Sequence, residues 1–455
     1  MLLNFVFFST FVLMKKVILI VLFFPIIGFT QELVWSPYTT ISSNTDGYGR
    51  PRIVLTADNH PLIIFRKDSS PKVLRASKWN GNNFSLPYDI LQPGILPSSW
   101  DGPEVAAKGD TVYVVFTSSA TSQSSIMLIK SFDCGLTFSD TIRVSENNPS
   151  YKFRMGNIAI KEDGNPVVSY MQYLLNWMNP KQLVNSSFTF GDHFVGATEG
   201  SQLAPGEPCD CCKSSLICSG DDVFLLFRNN HNNIRNSYIA KSVDNGISFT
   251  STVDMDDFDW MLNACPETTP KGVVLGDSLA VVKRSGATGN NEIVCSNINK
   301  NDLNYSYNKN IDAISGSIQD CPELAANKDT IVVVWQDNRT GFLNCYMSLS
   351  LNGTINLDGS TSFTDSSVLG QKKYPDVEYA DGNVHLVYLD YSQYKIVYVN
   401  AFIDVSNKIC DINKSSSKSI VRKIDLLGRE VNAKKSQPIL YFYDDGTVEK
   451  RIVIE

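Results

Sequence analysis

The stretch PRIVLTADNHPLIIFR, from Pro51 to Arg66, reads as two short apolar strands joined at Asp58-Asn59, with a basic residue closing the second. Aspartate, asparagine and glycine tolerate the positive φ that tight turns need, so the stretch is a hairpin. The same unit returns about every 50 to 58 residues. Its copies are PEVAAKGDTVYVVF from Pro103, GNIAIKEDGNPVVSY from Gly156, CKSSLICSGDDVFLLFR from Cys212, KGVVLGDSLAVVKR from Lys271, PELAANKDTIVVVWQ from Pro322 and PDVEYADGNVHLVY from Pro375. One hairpin cannot bury both of its faces, so a series at a fixed period predicts blades packed around a central axis. The expected fold class is all-β: a six- or seven-bladed β-propeller, seven favoured by the number of units. The first and last units are placed to share a blade through a closing strand.

The rest of the chain bounds the function. With 455 residues, 43% hydrophobic and 19% charged, it can bury a large core. A net charge of −7 without any lysine or arginine stripe excludes nucleic acid as a partner. No glycine-rich phosphate loop and no Gly-x-Ser-x-Gly elbow occurs, which removes nucleotide chemistry and serine hydrolysis. His60, His193, His231 and His385 lack ligand spacing. Ten cysteines fit an oxidising exterior better than a reducing cytosol. At the N-terminus, Lys15-Lys16 precede the apolar run Val17 to Phe24 and the stretch Gly28 to Gln31. That is the layout of a signal peptide over residues 1–30, with Met14 an alternative start. The expectation is a monomer exported through the periplasm and outer membrane, secreted or held at the cell surface.

Two units carry a second pattern, Ser-x-Asp-x-Gly-x-Thr/Ser-Phe. It is formed by Ser131, Asp133, Gly135, Thr137 and Phe138, and again by Ser242, Asp244, Gly246, Ser248 and Phe249. It resembles the Asp-box, or BNR repeat, of sialidases and related propellers, where an aspartate caps backbone donors of a turn above an aromatic plug. The resemblance implies architecture and not catalysis. The propeller is expected over 31–405. Residues 406–418 are polar and read as a linker. The tail 419–455, with Asp-Leu-Leu-Gly-Arg-Glu at Asp425 to Glu430 and the closing YFYDDGTVEKRIVIE, resembles the C-terminal sorting domain of type IX secretion cargo. That likeness implies a small β-sandwich-like domain recognised by the secretion machinery.

In a propeller the starts of the inner strands and the ends of the second strands share one mouth of the channel. The second strands end near Arg66, Arg228, Arg284 and Arg339. Arginines converging there would make a carboxylate site, and each could equally pair with a neighbouring aspartate. Resemblance to sialidases extends to some of these residues. Arg52-Ile53 resembles the family's Arg-Ile-Pro element, with Val54 in place of proline, and Arg228 and Arg284 resemble its second and third carboxylate-binding arginines. Tyr374 stands where the family has its nucleophile, and Asp68 where an acid is expected. The glutamate that would deprotonate the tyrosine is replaced by Cys212, with Glu207 a few residues upstream. Seven units also depart from the six blades of sialidases.

The cysteines compete for the same mouth. Cys209, Cys211 and Cys212 share one loop, while Cys265 and Cys321 open the next two units. They could hold a soft metal ion such as Cu(I) or Zn(II), or form disulfides between neighbouring blades. Cys295 and Cys345 make a further candidate bridge. The functional reading is an exported propeller binding an anionic glycan or cell-surface ligand at its mouth. The alternatives are an exo-α-sialidase with a retaining mechanism and a metal-thiolate propeller.

Overall fold

A computed structural model describes residues 32–98, 101–119, 123–357, 359–404, 420–425, 429–431, 438–443 and 448–452. The signal-peptide expectation and the linker lie outside these residues.

Seven antiparallel sheets follow one another along Leu33–Ile403. In blade 1 the strands are Gly49–Leu55, Pro61–Lys67, Val73–Lys78 and Tyr88–Asp89, and in blade 2 Glu104–Lys108, Thr111–Ser118, Ser125–Ser131 and Ile142–Arg143. Blade 3 is Tyr151–Ile160, Pro166–Leu174, Lys181–Ser186 and Thr198–Glu199. In blade 4, Ser215–Ser219 and the short Glu207–Pro208 both pair with Asp222–Asn230, followed by Ser237–Ser242 and Ser251–Asp254. Blade 5 is Lys271–Leu275, Ser278–Ser285, Glu292–Asn299 and Tyr305–Asn310, and blade 6 Gln319–Asn327, Thr330–Asp337, Asn344–Ser350 and Thr361–Ser362. Blade 7 takes Lys372–Ala380, Asn383–Asp390 and Lys395–Asp404 from the end of the propeller sequence. Its outer edge is supplied from the beginning, by Glu32–Trp35 and Thr39–Ser42, which pair with Lys395–Asp404.

Inner strands contact one another in sequence order, and the strand of blade 7 contacts that of blade 1, so the ring is closed. Residues on alternate sides of each second strand enter two different cores, because successive side chains of a strand point to opposite faces. Val112, Val114 and Phe116 pack with Leu62 and Ile64 of blade 1, whereas Tyr113 and Val115 pack with Val168 and Tyr170 of blade 3. The same division holds around the ring and produces an apolar core between every pair of neighbouring blades. That is why the second strands read as unbroken apolar runs: both faces are buried.

The two Ser-x-Asp-x-Gly-x-Thr/Ser-Phe segments each form a turn, and the two turns have the same bonding. Asp133 accepts from Ser131 Oγ at 2.6 Å, from Thr137 N at 2.9 Å and from Thr137 Oγ1 at 2.6 Å. Asp244 repeats this with Ser242 and Ser248 at 2.7, 2.8 and 2.6 Å. Gly135 needs its φ of 85° and also its missing side chain, since a Cβ there would lie 2.4 Å from Leu62 Cδ2. A turn with similar bonding occurs at Ser187 to Phe194, where Thr189 takes the place of the aspartate and Ser187 Oγ accepts from Gly191 N at 2.9 Å.

The C-terminal unit contains a three-stranded antiparallel sheet of Ile420–Asp425, Pro438–Tyr443 and Val448–Ile452. Asp425 accepts from the backbone and side chain of Arg429. Among the described residues this unit is a single sheet, and no second layer of a sandwich is seen.

Candidate ligand-binding mouth

The inner strands begin alike. Arg50, Gly102, Met155, Cys321 and Tyr374 have φ of 36°, 62°, 62°, 50° and 52°, and each is followed by proline or glycine. In four of these blades the pairing slips at this point, a bulge that re-aims the strand. The residue two positions on then faces the channel: Arg52, Glu104, Asn157, Glu323 and Asp376.

A layer of ions fills the channel at this level. Arg52 meets Glu104 at 2.9 Å and Glu323 at 3.1 Å, with Asp376 at 3.9 Å. Lys213 meets Glu104 at 2.8 Å, and Lys271 meets Glu323 at 3.0 Å. Burial opposes ionisation of Glu104, but Arg52, Lys213 and Lys271 outweigh it and hold the carboxyl well below the usual range. Lys213 is lowered nonetheless, because burial and the neighbouring arginines outweigh its carboxylate partners. The 2.8 Å contact lies within the range of a charge-assisted hydrogen bond. Burial pushes Asp376 up to about 7 against the pull of Arg52. Glu378, two residues further and on the same face of the strand, is pushed up to about 8 by burial and by Asp376.

Above this layer lies a small hollow of about 40 Å³ lined by Arg50, Asp101, Met155, Cys211, Lys213, Glu267 and Thr269. It admits the tip of a ligand and not a sugar ring. The Arg50 guanidinium lies over the Tyr374 ring, 4.6 Å from its centroid. Gly102 makes room for it, since a Cβ there would sit 2.8 Å from Arg50 Cδ. On the same face, Lys152 covers the Trp177 ring at 4.1 Å and Lys373 the Tyr391 ring at 4.7 Å. Tyr48, Tyr391 and Tyr394 form an aromatic cluster between blades 7 and 1.

The structure does not bring Arg52, Arg228 and Arg284 to one ligand-sized space. Arg52 is engaged by the channel carboxylates. Arg228 is 1% exposed, donates to the carbonyls of Arg235 and Arg284, and stacks 4.9 Å from Trp260. Arg284 stands 5.5 Å from the centroid of the same ring and binds Asp320 at 3.1 Å and Asn291 at 2.8 Å. Asp68 is held by Arg66 through two hydrogen bonds. Glu207 is exposed and sits in the short strand paired with Asn230. Tyr374 stands at the mouth, and its backbone N donates to Gln336 Oε1 at 3.1 Å.

Of the five mouth cysteines, four come together. Cys211 and Cys265 form a disulfide between the loops leading into blades 4 and 5. Cys209 and Cys212 are buried thiols 3.4 Å apart, and Arg235 donates to Cys209 Sγ at 3.2 Å. The hydrogen bond from Cys212 lowers Cys209 to about 7 against its burial, with Arg235 assisting, whereas burial raises Cys212. Cys321 is an unpaired thiol outside this group. Cys295 and Cys345 do not form the expected bridge: each is a free thiol, buried in a different inter-blade core.

No protein-family model and no curated protein matches the chain. Among solved structures it is similar to the Hadza microbial sialidase Hz136, at 15% identity over 78% of this chain and 66% of that one, with a TM-score of 0.45. It is also similar to a Trypanosoma rangeli sialidase, at 9% identity over 78% and 55% of the two chains and a TM-score of 0.45. A polysaccharide lyase of family PL25, an ulvan lyase, aligns at 8% identity over 81% of this chain and 95% of that one, with a TM-score of 0.50. The chain thus spans two thirds or less of those two sialidases. At such identities the likeness concerns the fold alone, and that fold is the seven-bladed β-propeller described above.

Proposed function

We propose that this chain is an exported propeller that binds acidic glycan termini at the mouth around Arg50 and Tyr374, without cleaving them. One observation carries the reading. Arg50 is the mouth guanidinium that has no carboxylate, and no hydrogen-bond acceptor, among the described residues, and its Cζ stands over the Tyr374 ring, 4.6 Å from the centroid. A planar fork held in this way is ready for two parallel bonds to a carboxylate. The exposed rings of Tyr391 and Tyr394, 47% and 44% accessible, offer stacking surfaces for the sugars that follow.

Hydrolysis through Tyr374 would need a base within hydrogen-bond reach of its hydroxyl. Among the described residues none stands there, and the chain has Cys212 where a sialidase would have its glutamate. Export is supported by the leader-like residues 1–30, by the tail's resemblance to type IX sorting domains, and by a disulfide of a kind that persists in oxidising compartments.

The test is a glycan array probed with the full chain, followed by incubation of any bound sialoside and chemical analysis of the mixture. Retention of sialylated or uronate-bearing glycans with no released sugar is expected. Turnover would transfer the reading to an exo-sialidase, and absence of any acidic-glycan binding would remove it.

A further inference from the structure

Apart from Cys211, which lines the hollow beside Arg50, the sulfur cluster has no part in the glycan-binding reading. Cys209, Cys211 and Cys212 follow a tight turn in which Cys212 N donates to Cys209 O at 3.2 Å, and Cys209 N is anchored to Arg228 O at 2.8 Å. The turn folds three side chains to one side, and their Sγ atoms form a triangle with edges of 3.5, 4.0 and 3.4 Å. With Cys211 Sγ where the disulfide holds it, a point equidistant from the three lies roughly 2.1 Å from each in their plane, and reaches the roughly 2.3 Å of a zinc–thiolate bond when lifted about 0.9 Å out of it, so little movement is needed once the disulfide opens. Cys265 approaches from the next blade, with its Cα 6.3 Å from that of Cys211. The ligand atoms of Cys209, Asp210, Cys211 and Cys265 all lie within 4.8 Å of one another.

The surroundings suit a soft cation. Cys209 and Cys212 are 0% and 1% exposed, so water and hard oxygen donors compete poorly there. The Arg235 guanidinium, 3.2 Å from Cys209 Sγ, offsets the negative charge that several thiolates around one ion would accumulate.

We propose that Cys209, Cys211 and Cys212, completed by Cys265, form a binding site for a thiophilic d10 ion, Cu(I) or Zn(II), and that the Cys211–Cys265 disulfide is the closed form of this site. Opening the disulfide takes two electrons and two protons from a thiol or phosphine reductant and yields two thiols. The incoming ion then displaces the thiol protons to solvent. Disulfide and metal exclude each other, because both use the electrons of Cys211 and Cys265.

The experiment compares the full chain as isolated with the same chain reduced by a phosphine under nitrogen. Each is loaded with Cu(I) or with Zn(II), desalted, and assayed for metal per chain. About one ion is expected on the reduced protein and far less on the oxidised one. Cys209→Ser and Cys212→Ser should each weaken retention against a competing chelator at least tenfold, while Cys134→Ser, in the Asp-box turn of blade 2, should leave it unchanged. Should the serine variants fail to fold, the wild-type chain provides the same test: the ion should shield the peptide containing Cys209 and Cys212 from alkylation. Loss of both ions on desalting, equal loading of the oxidised chain, wild-type binding by both serine variants, or no shielding would overturn the proposal.

Discussion

Replacing Glu104 with glutamine keeps the shape of the side chain and removes the charge on which the channel layer turns. Glu104 is 5% exposed and faces Arg52 at 2.9 Å and Lys213 at 2.8 Å, with Lys271 at 3.8 Å. In Glu104→Gln, Lys213 keeps the carbonyl of Asp101 at 2.5 Å and loses its ionic partner, while Arg52 keeps Glu323. Breaking a buried pair from one side costs about 3–5 kcal/mol, because the remaining charge stays desolvated. A unit the size of Leu33–Ile403 has an unfolding entropy of about 0.8 kcal/mol per kelvin, so its melting temperature should fall by about 4–6 °C. Differential scanning calorimetry at neutral pH reads this directly. The double variant Glu104→Met with Lys213→Met removes both charges and should recover most of the loss. A Glu104→Gln protein melting within about 1 °C of wild type would refute the claim that these ions close the channel.

Further expectations follow from other parts of the ring. Glu378→Gln should raise stability at alkaline pH. The folded carboxyl, pushed up to about 8, holds a proton that the unfolded chain has released above about 4.3, so wild-type stability falls as pH rises between these values while the glutamine variant is spared. Urea titrations at pH 5 and pH 8.5 measure the difference, and an equal gain at both would contradict it. Asp133→Ala loses the turn's bonds to Ser131 and Thr137 and should cost about 1–2 kcal/mol, as for a lost helix cap. Asp133 is lowered to about 2, so this contribution is present above about 3.9 and fades as the pH falls towards 2; a loss unchanged at pH 2 would count against it. Arg228→Ala should lower the melting temperature by several degrees, since it orphans the carbonyls of Arg235 and Arg284, whereas Arg50→Ala should leave it unchanged. Removing Glu32–Trp35 and Thr39–Ser42 exposes the edge of Lys395–Asp404 and uncovers Ile41's partners, so the truncated chain should aggregate on light scattering.

The propeller was legible because its signal repeats. Each apolar run such as VYVVF or VFLLF is buried on both faces, and each turn dipeptide supplies the positive φ its hairpin needs. Four of the fourth strands were not legible: Tyr88–Asp89, Ile142–Arg143, Thr198–Glu199 and Thr361–Ser362 are two residues each, too short to show a period. Arg52 could be placed at the channel from its position, but its partners Glu104 and Glu323 lie in other blades, and pairing across a ring leaves no local trace. One signal was present and unused. The pattern of a residue, proline and a charge recurs in Arg50-Pro51-Arg52, Gly102-Pro103-Glu104, Cys321-Pro322-Glu323 and Tyr374-Pro375-Asp376. In blades 1, 6 and 7 it coincides with the bulge, and it names Arg52, Glu104, Glu323 and Asp376 of the ionic layer in advance. The similar turn at Ser187 to Phe194 was hidden because Thr189 does an aspartate's bonding with a hydroxyl.

The most direct measurement of the central claim is a calorimetric titration of the full chain with a sialyl or uronate oligosaccharide, run beside Arg50→Ala and Arg228→Lys. The account predicts saturable binding that Arg50→Ala weakens at least tenfold at an unchanged melting temperature, with Arg228→Lys binding as wild type wherever it remains folded. Undiminished binding by Arg50→Ala would contradict it and move the ligand site away from this mouth.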